Sequence, residues 1–136
     1  MRRGFRRTIE TLDEVFRFLE DFAAANALPE RAAFTLNLVA EELFTNMIRH
    51  GVGGGDSIDL GVERIDGAFR LEMVDTDVEP FDPLTVPTPP VEAGIDERTP
   101  GGLGIHLVQT MVDDLSYDYD PASRRMRVSV TGRWEG

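Results

Sequence analysis

Apolar residues along this chain recur in helical and strand-like periods separated by turn residues. From Thr11 to Ala25, Leu12, Val15, Phe16, Leu19, Phe22 and Ala23 follow the spacing of one helix face. Thr11 and Glu14 have capping-box spacing at its start. Phe18 lies off that stripe, which predicts an exposed ring available to a subunit or partner interface. Pro29 stands where a first helical residue belongs, and Leu36, Val39, Ala40, Leu43 and Met47 trace a second apolar face to about His50, with Gly51 as the stop. Ile58, Leu60 and Val62 then alternate, Asp66-Gly67 supplies a hairpin turn, and Phe69, Leu71 and Met73 alternate again. Ahead of the first helix, Phe5 to Ile9 predicts a short edge strand.

Thr76 to Pro100 breaks the pattern. It holds six of the eight prolines and has no helical or strand period. Structureless stretches of that length in a compact domain are commonly lids or binding loops. Beyond it, Ile105, Leu107, Val108, Met111 and Val112 predict a third helix, and Leu115 to Tyr119 and Met126 to Val130 predict strands joined near Asp120-Pro121. The order βααββ, loop, αββ predicts an α/β (α+β) two-layer sandwich: a mixed, largely antiparallel sheet with helices on one face.

At 136 residues the chain is one domain, spanning 1–136, able to bury about two-thirds of the surface its unfolded form exposes. No apolar run spans a bilayer, and charged residues interrupt any signal-like start, so a cytoplasmic protein without membrane attachment is expected. With no cysteine there is no disulfide, thiolate nucleophile or cysteine zinc site. A net charge of −11 argues against direct nucleic-acid binding, because phosphate backbones demand cationic surface. Arg2, Arg3, Arg6 and Arg7 are a local exception, read as a solvated terminal arm.

Three segments carry candidate chemistry. The turn Thr99-Pro100-Gly101-Gly102-Leu103-Gly104 runs straight into the third helix, where crowded backbone N–H groups can hold phosphate oxygens. Glu42 and Asn46, four residues apart on the second helix, project within about 40° of each other. The amide oxygen is a hard ligand suited to Mg²⁺, and the carboxylate can accept a proton from an attacking hydroxyl. Asp75, at the end of a strand, can accept a hydrogen bond from an exocyclic amine such as that of adenine. Each segment alone also fits an ordinary helix flank or turn. His50 and His106 need no catalytic role, and Tyr117, Tyr119 and Trp134 read as packing.

Together these segments resemble the ATP-binding domain of the anti-sigma factor serine kinases, a branch of the superfamily that includes gyrase, heat-shock chaperones, histidine kinases and mismatch-repair ATPases. The resemblance runs from about Thr8 to Thr131. Glu41-Glu42-Leu43-Phe44-Thr45-Asn46-Met47-Ile48-Arg49-His50-Gly51 is similar to that family's first motif, which implies Glu42 as base and Asn46 as Mg²⁺ ligand. Val74-Asp75-Thr76-Asp77-Val78-Glu79-Pro80-Phe81-Asp82-Pro83 is similar to its adenine motif, usually Asp-x-Gly followed closely by Phe-Asp-Pro. Here Asp77 stands where the glycine is expected, and the segment is one residue longer before Phe81. Either Asp75 or Asp77 then meets adenine, with strand parity to Leu71 and Met73 favouring Asp75. Gly102-Leu103-Gly104, with Gly101 before it, resembles the phosphate-binding glycine motif, and residues 76–100 correspond to the ATP lid.

The resemblance implies a Bergerat-type fold, ATP (or ADP) and Mg²⁺ as ligands, and a protein serine/threonine kinase in partner-switching control of transcription. Its implied partners are a sigma factor, an anti-sigma antagonist protein and a second copy in a homodimer. Two other readings compete: a non-catalytic partner-binding module on the same scaffold, and a histidine-kinase-like ATPase domain.

Overall fold

The computed structural model describes residues 1–51, 53–80 and 102–134, with backbone alone at 50 and 102–106. Strand β1 (Arg2–Arg6) leads through a short 3-10 turn (Ile9–Thr11) into helices α1 (Leu12–Ala25) and α2 (Glu30–His50). The hairpin β2 (Ser57–Ile65) and β3 (Ala68–Asp75) follows, then α3 (Gly102–Met111) and the hairpin β4 (Asp114–Asp120) and β5 (Arg125–Arg133). The five strands lie in the order β1-β2-β3-β5-β4. Every neighbouring pair is antiparallel, so the sheet is wholly antiparallel where a mixed one was expected.

Register explains where the core sits. Leu60 opposes Met73, Val62 opposes Leu71, and Leu71 and Met73 oppose Val130 and Val128. All six are buried, so one sheet face packs on the helices in the two-layer arrangement the sequence predicts. Asp75 opposes Met126 in that inward row, two residues beyond Met73. The other face carries the charges of Arg2, Asp59, Glu72 and Arg127.

Several local expectations change. The first strand is Arg2–Arg6 instead of Phe5 to Ile9, because backbone pairing with β2 needs no apolar alternation and only Phe5 of the five residues is buried. The arginines are therefore no free arm: Arg2, Arg3 and Arg6 ride on that edge strand, and Arg7 follows it. Phe18 is buried, its ring meeting that of Phe5 edge-on with centroids 5.4 Å apart, so it offers no interface. The exposed ring is Phe34. The Thr11 hydroxyl pairs with that of Thr8 at 2.7 Å and does not cap α1, because the 3-10 turn draws it back toward Thr8. Tyr117, Tyr119 and Trp134 do pack against the core.

The start of the proline-rich loop is ordered by pairing. The N–H groups of Gly54 and Gly55 donate to the carbonyls of Asp77 (2.7 Å) and Thr76 (3.0 Å). Val78 is fully buried, and its carbonyl accepts from the Tyr119 hydroxyl at 2.7 Å. Residues 81–100, most of the expected lid, lie outside the described residues.

Candidate functional site

Helix α2 positions the first pair of expected site residues. Its apolar face, including Val39, Ala40, Leu43 and Met47, is buried against the sheet, and Glu42 and Asn46 border that face. Asn46 is fully buried, yet neither its amide nitrogen nor its oxygen has a hydrogen-bond partner among the described residues. Glu42 is half-buried and its Oε2 is likewise unpartnered. Burial pushes the Glu42 carboxyl above the ordinary carboxylate range, and the neighbouring Glu41 charge adds to the effect.

Strand β3 delivers Asp75 to the same layer, fully buried. One carboxylate oxygen binds the Arg7 guanidinium, while Oδ2 has no partner among the described residues. Asp77 is exposed and sits at φ 55°, the left-handed region that aspartate tolerates better than most side chains. Of the two carboxylates left open by the sequence, Asp75 is thus the one enclosed at the strand end.

The glycine motif falls outside the described residues at Gly101. Gly102, Leu103 and Gly104 form the first turn of α3, where backbone N–H groups have no intrahelical acceptor. They are helical, not part of a preceding turn. Met111, at the other end of α3, shares a cavity with Ala32, Phe34 and Thr35 of α2. Helix α3 packs on α2 and, at ten residues, rises about 15 Å.

A polar atom buried without a partner costs about 1–3 kcal/mol, so such atoms are rare and call for a cause. Among the described residues five buried side-chain polar atoms lack one, and four belong to Glu42, Asn46 and Asp75. The fifth is Asn37 Oδ1, on α2. The donor set fits a magnesium nucleotide: a carbonyl oxygen for a hard cation, a carboxylate acceptor for an amine, and a base of raised affinity for protons. Arg7 and the loop Gly53–Gly55 were missed from the sequence. The run of three glycines after Gly51 was the available signal, since it marks a place where backbone must pass close to something.

The family of the histidine kinase-like ATPase domain matches residues 5–131 of the chain. The serine/threonine-protein kinase BtrW of Bordetella bronchiseptica is 29% identical to it over 112 residues, which cover 81% of this chain and 78% of BtrW.

Proposed function

Because the chain belongs to the histidine kinase-like ATPase domain family, we propose that it binds Mg·ATP and transfers the γ-phosphoryl group to a serine or threonine hydroxyl of a partner protein. The observation that carries this reading is the concentration of unpartnered buried polar atoms on Glu42, Asn46 and Asp75. In this reading Asp75 accepts the exocyclic amine of adenine, and the N–H groups of Gly102, Leu103 and Gly104, with Gly101, hold phosphate oxygens. The Asn46 amide oxygen holds Mg²⁺, which when bound neutralises charge on the phosphates. Glu42 takes the proton of the attacking hydroxyl, and burial raises its affinity for that proton.

The family resemblance of the motifs, together with the similarity to the serine/threonine-protein kinase BtrW, favours a regulatory kinase whose partners are a sigma factor and its antagonist protein, acting in the cytoplasm. No helix among the described residues is long and apolar enough to cross a membrane. A homodimer remains part of the proposal through the resemblance alone, since Phe18 is buried.

Calorimetric titration with Mg·ATP tests the reading. Ligand at 100 times its Kd stabilises a fold that alone binds it by about 2.7 kcal/mol, visible as a higher melting temperature. Absence of both heat and thermal shift at millimolar nucleotide would sink it. Glu42→Gln is expected to keep binding and lose transfer to the partner hydroxyl. Binding without transfer by the wild type would instead identify a non-catalytic module.

A further inference from the structure

Arg7 leaves the end of β1 and reaches into the sheet–helix layer. Its Nε donates to the carbonyl of Gly55 at 3.1 Å, its Nη1 to the carbonyl of Met47 at 3.4 Å, and its Nη2 to Asp75. Three parts of the candidate site thus meet on one guanidinium: the C-terminal turn of α2 beside Asn46, the glycine loop, and the end of β3. The seat is built for it. Gly54 has φ 97°, and a Cβ there would lie 2.3 Å from Nη2 and 2.5 Å from Cζ, so only glycine leaves room for the guanidinium. The Arg7 side chain is 14% exposed and that of Asp75 is fully buried.

The consequence lies in how this leaves Asp75. One carboxylate oxygen is taken by Arg7, and Oδ2, buried and unpartnered, is left to accept a donor. We propose that Arg7 is a specificity-positioning residue, which by binding one oxygen of Asp75 presents the other to the exocyclic amine of a 6-amino purine. The choice of ATP over a 6-oxo purine nucleotide then depends on a residue just beyond the first strand that does not touch the nucleotide. This rests on the nucleotide reading above. An ionised carboxylate only accepts hydrogen bonds, so it pairs with an amine and opposes a carbonyl in the same place. Without Arg7 the carboxylate has neither its counter-charge nor a fixed orientation, and that discrimination goes.

The test compares Kd values for Mg·ATP and Mg·ITP, which share a triphosphate and differ in the 6-substituent, on the full chain carrying Arg7, Arg7→Lys or Arg7→Met. Thermal unfolding of each variant reports whether it is folded. Wild type is expected to prefer ATP by about tenfold or more. Arg7→Met is expected to bring the ratio below about threefold by weakening ATP while leaving ITP within about threefold. Arg7→Lys falls between, because an ammonium keeps the charge but cannot span all three acceptors. A folded Arg7→Met or Arg7→Lys that keeps the wild-type ratio, or weakens both nucleotides equally, overturns the proposal; if Arg7→Met does not fold, Arg7→Lys decides it by the same criterion. Wild type binding ATP and ITP equally overturns this inference and leaves the nucleotide reading standing, whereas binding neither overturns both.

Discussion

Two arginines five residues apart, Arg2 and Arg7, make the same kind of contact in opposite surroundings. Arg2 lies on the open sheet face, its guanidinium 3.3 Å from Asp59 and 2.7 Å from Glu72, with about half of the Arg2 and Asp59 side chains in water. Glu72 holds the Arg2 guanidinium above its ordinary proton affinity. Arg7 lies between sheet and helices, where burial lowers its proton affinity and Asp75 is fully enclosed. Each head group also rests where the Cβ of a glycine would be, Gly61 under Arg2 and Gly54 under Arg7. Geometry alone therefore does not separate a surface pair from part of a site. Burial does: water can replace Asp59 or Glu72 as partner to Arg2, but no other cation among the described residues pairs with Asp75.

The largest effect that can break this comparison is loss of the buried pair. Arg7→Met leaves Asp75 enclosed without a counter-charge, which costs about 3–5 kcal/mol in such settings. Urea unfolding of the single variant and of Arg7→Met/Asp75→Leu is expected to show the double variant regaining a substantial part of that loss. The second substitution removes the buried charge itself. If the double variant were no more stable than Arg7→Met, the pair would not be the source of the cost, and Arg7 and Arg2 would differ in burial only.

Asn46 sharpens the same point with the opposite sign. Its amide is fully buried with no partner, so Asn46→Leu, of similar volume, is expected to stabilise the free protein by about 1–2 kcal/mol while abolishing Mg·ATP binding. Stabilisation with unchanged binding would remove Asn46 from the site. Destabilisation would mean that the amide is satisfied in solution.

Helices α1 and α2 and both hairpins were legible because each carries its own apolar period over eight or more residues, and local period is what a chain shows on its face. β1 was not, since three of its five residues are arginine and its pairing is made by backbone groups of β2 some 50 residues away. Phe18 was misread for the same reason: the ring that covers it belongs to Phe5 of that strand. In the candidate site, Glu42 and Asn46 were proposed from helical spacing and motif likeness, and Asp75 from strand parity. Arg7 was not, because its contact with Asp75 spans 68 residues and depends on the glycine loop lying around its head group. Sequence shows which residues can do chemistry; the closure of the fold decides which charges lose their water.

The exposed pair gives a smaller prediction. Arg2→Ala is expected to cost about 1 kcal/mol or less, and the difference from wild type should shrink further in 1 M salt, where charges are screened over about 3 Å. A cost comparable to that of Arg7→Met would break the contrast between the two arginines.

Glu42 is half-buried and has no counter-charge among the described residues, so its stability effect is small and depends on pH. Its carboxyl has a raised folded-state pKa, first from burial and then from Glu41. Between the ordinary value and that raised one, the folded chain binds more protons at this site than the unfolded chain, so stability falls as pH rises through the window. Above it Glu42 is charged and mildly destabilising. Glu42→Gln, with nearly the same shape and no charge, is therefore expected to be more stable than wild type at neutral pH by under about 1 kcal/mol, since partial exposure screens the effect. The gap should close as pH drops below the ordinary carboxylate range. Thermal unfolding of both proteins from acid to neutral pH reads it directly. A gap of constant size would assign the gain to packing, and a variant less stable than wild type at neutral pH would mean that the Glu42 carboxylate has a partner in solution and is not the free base that transfer requires.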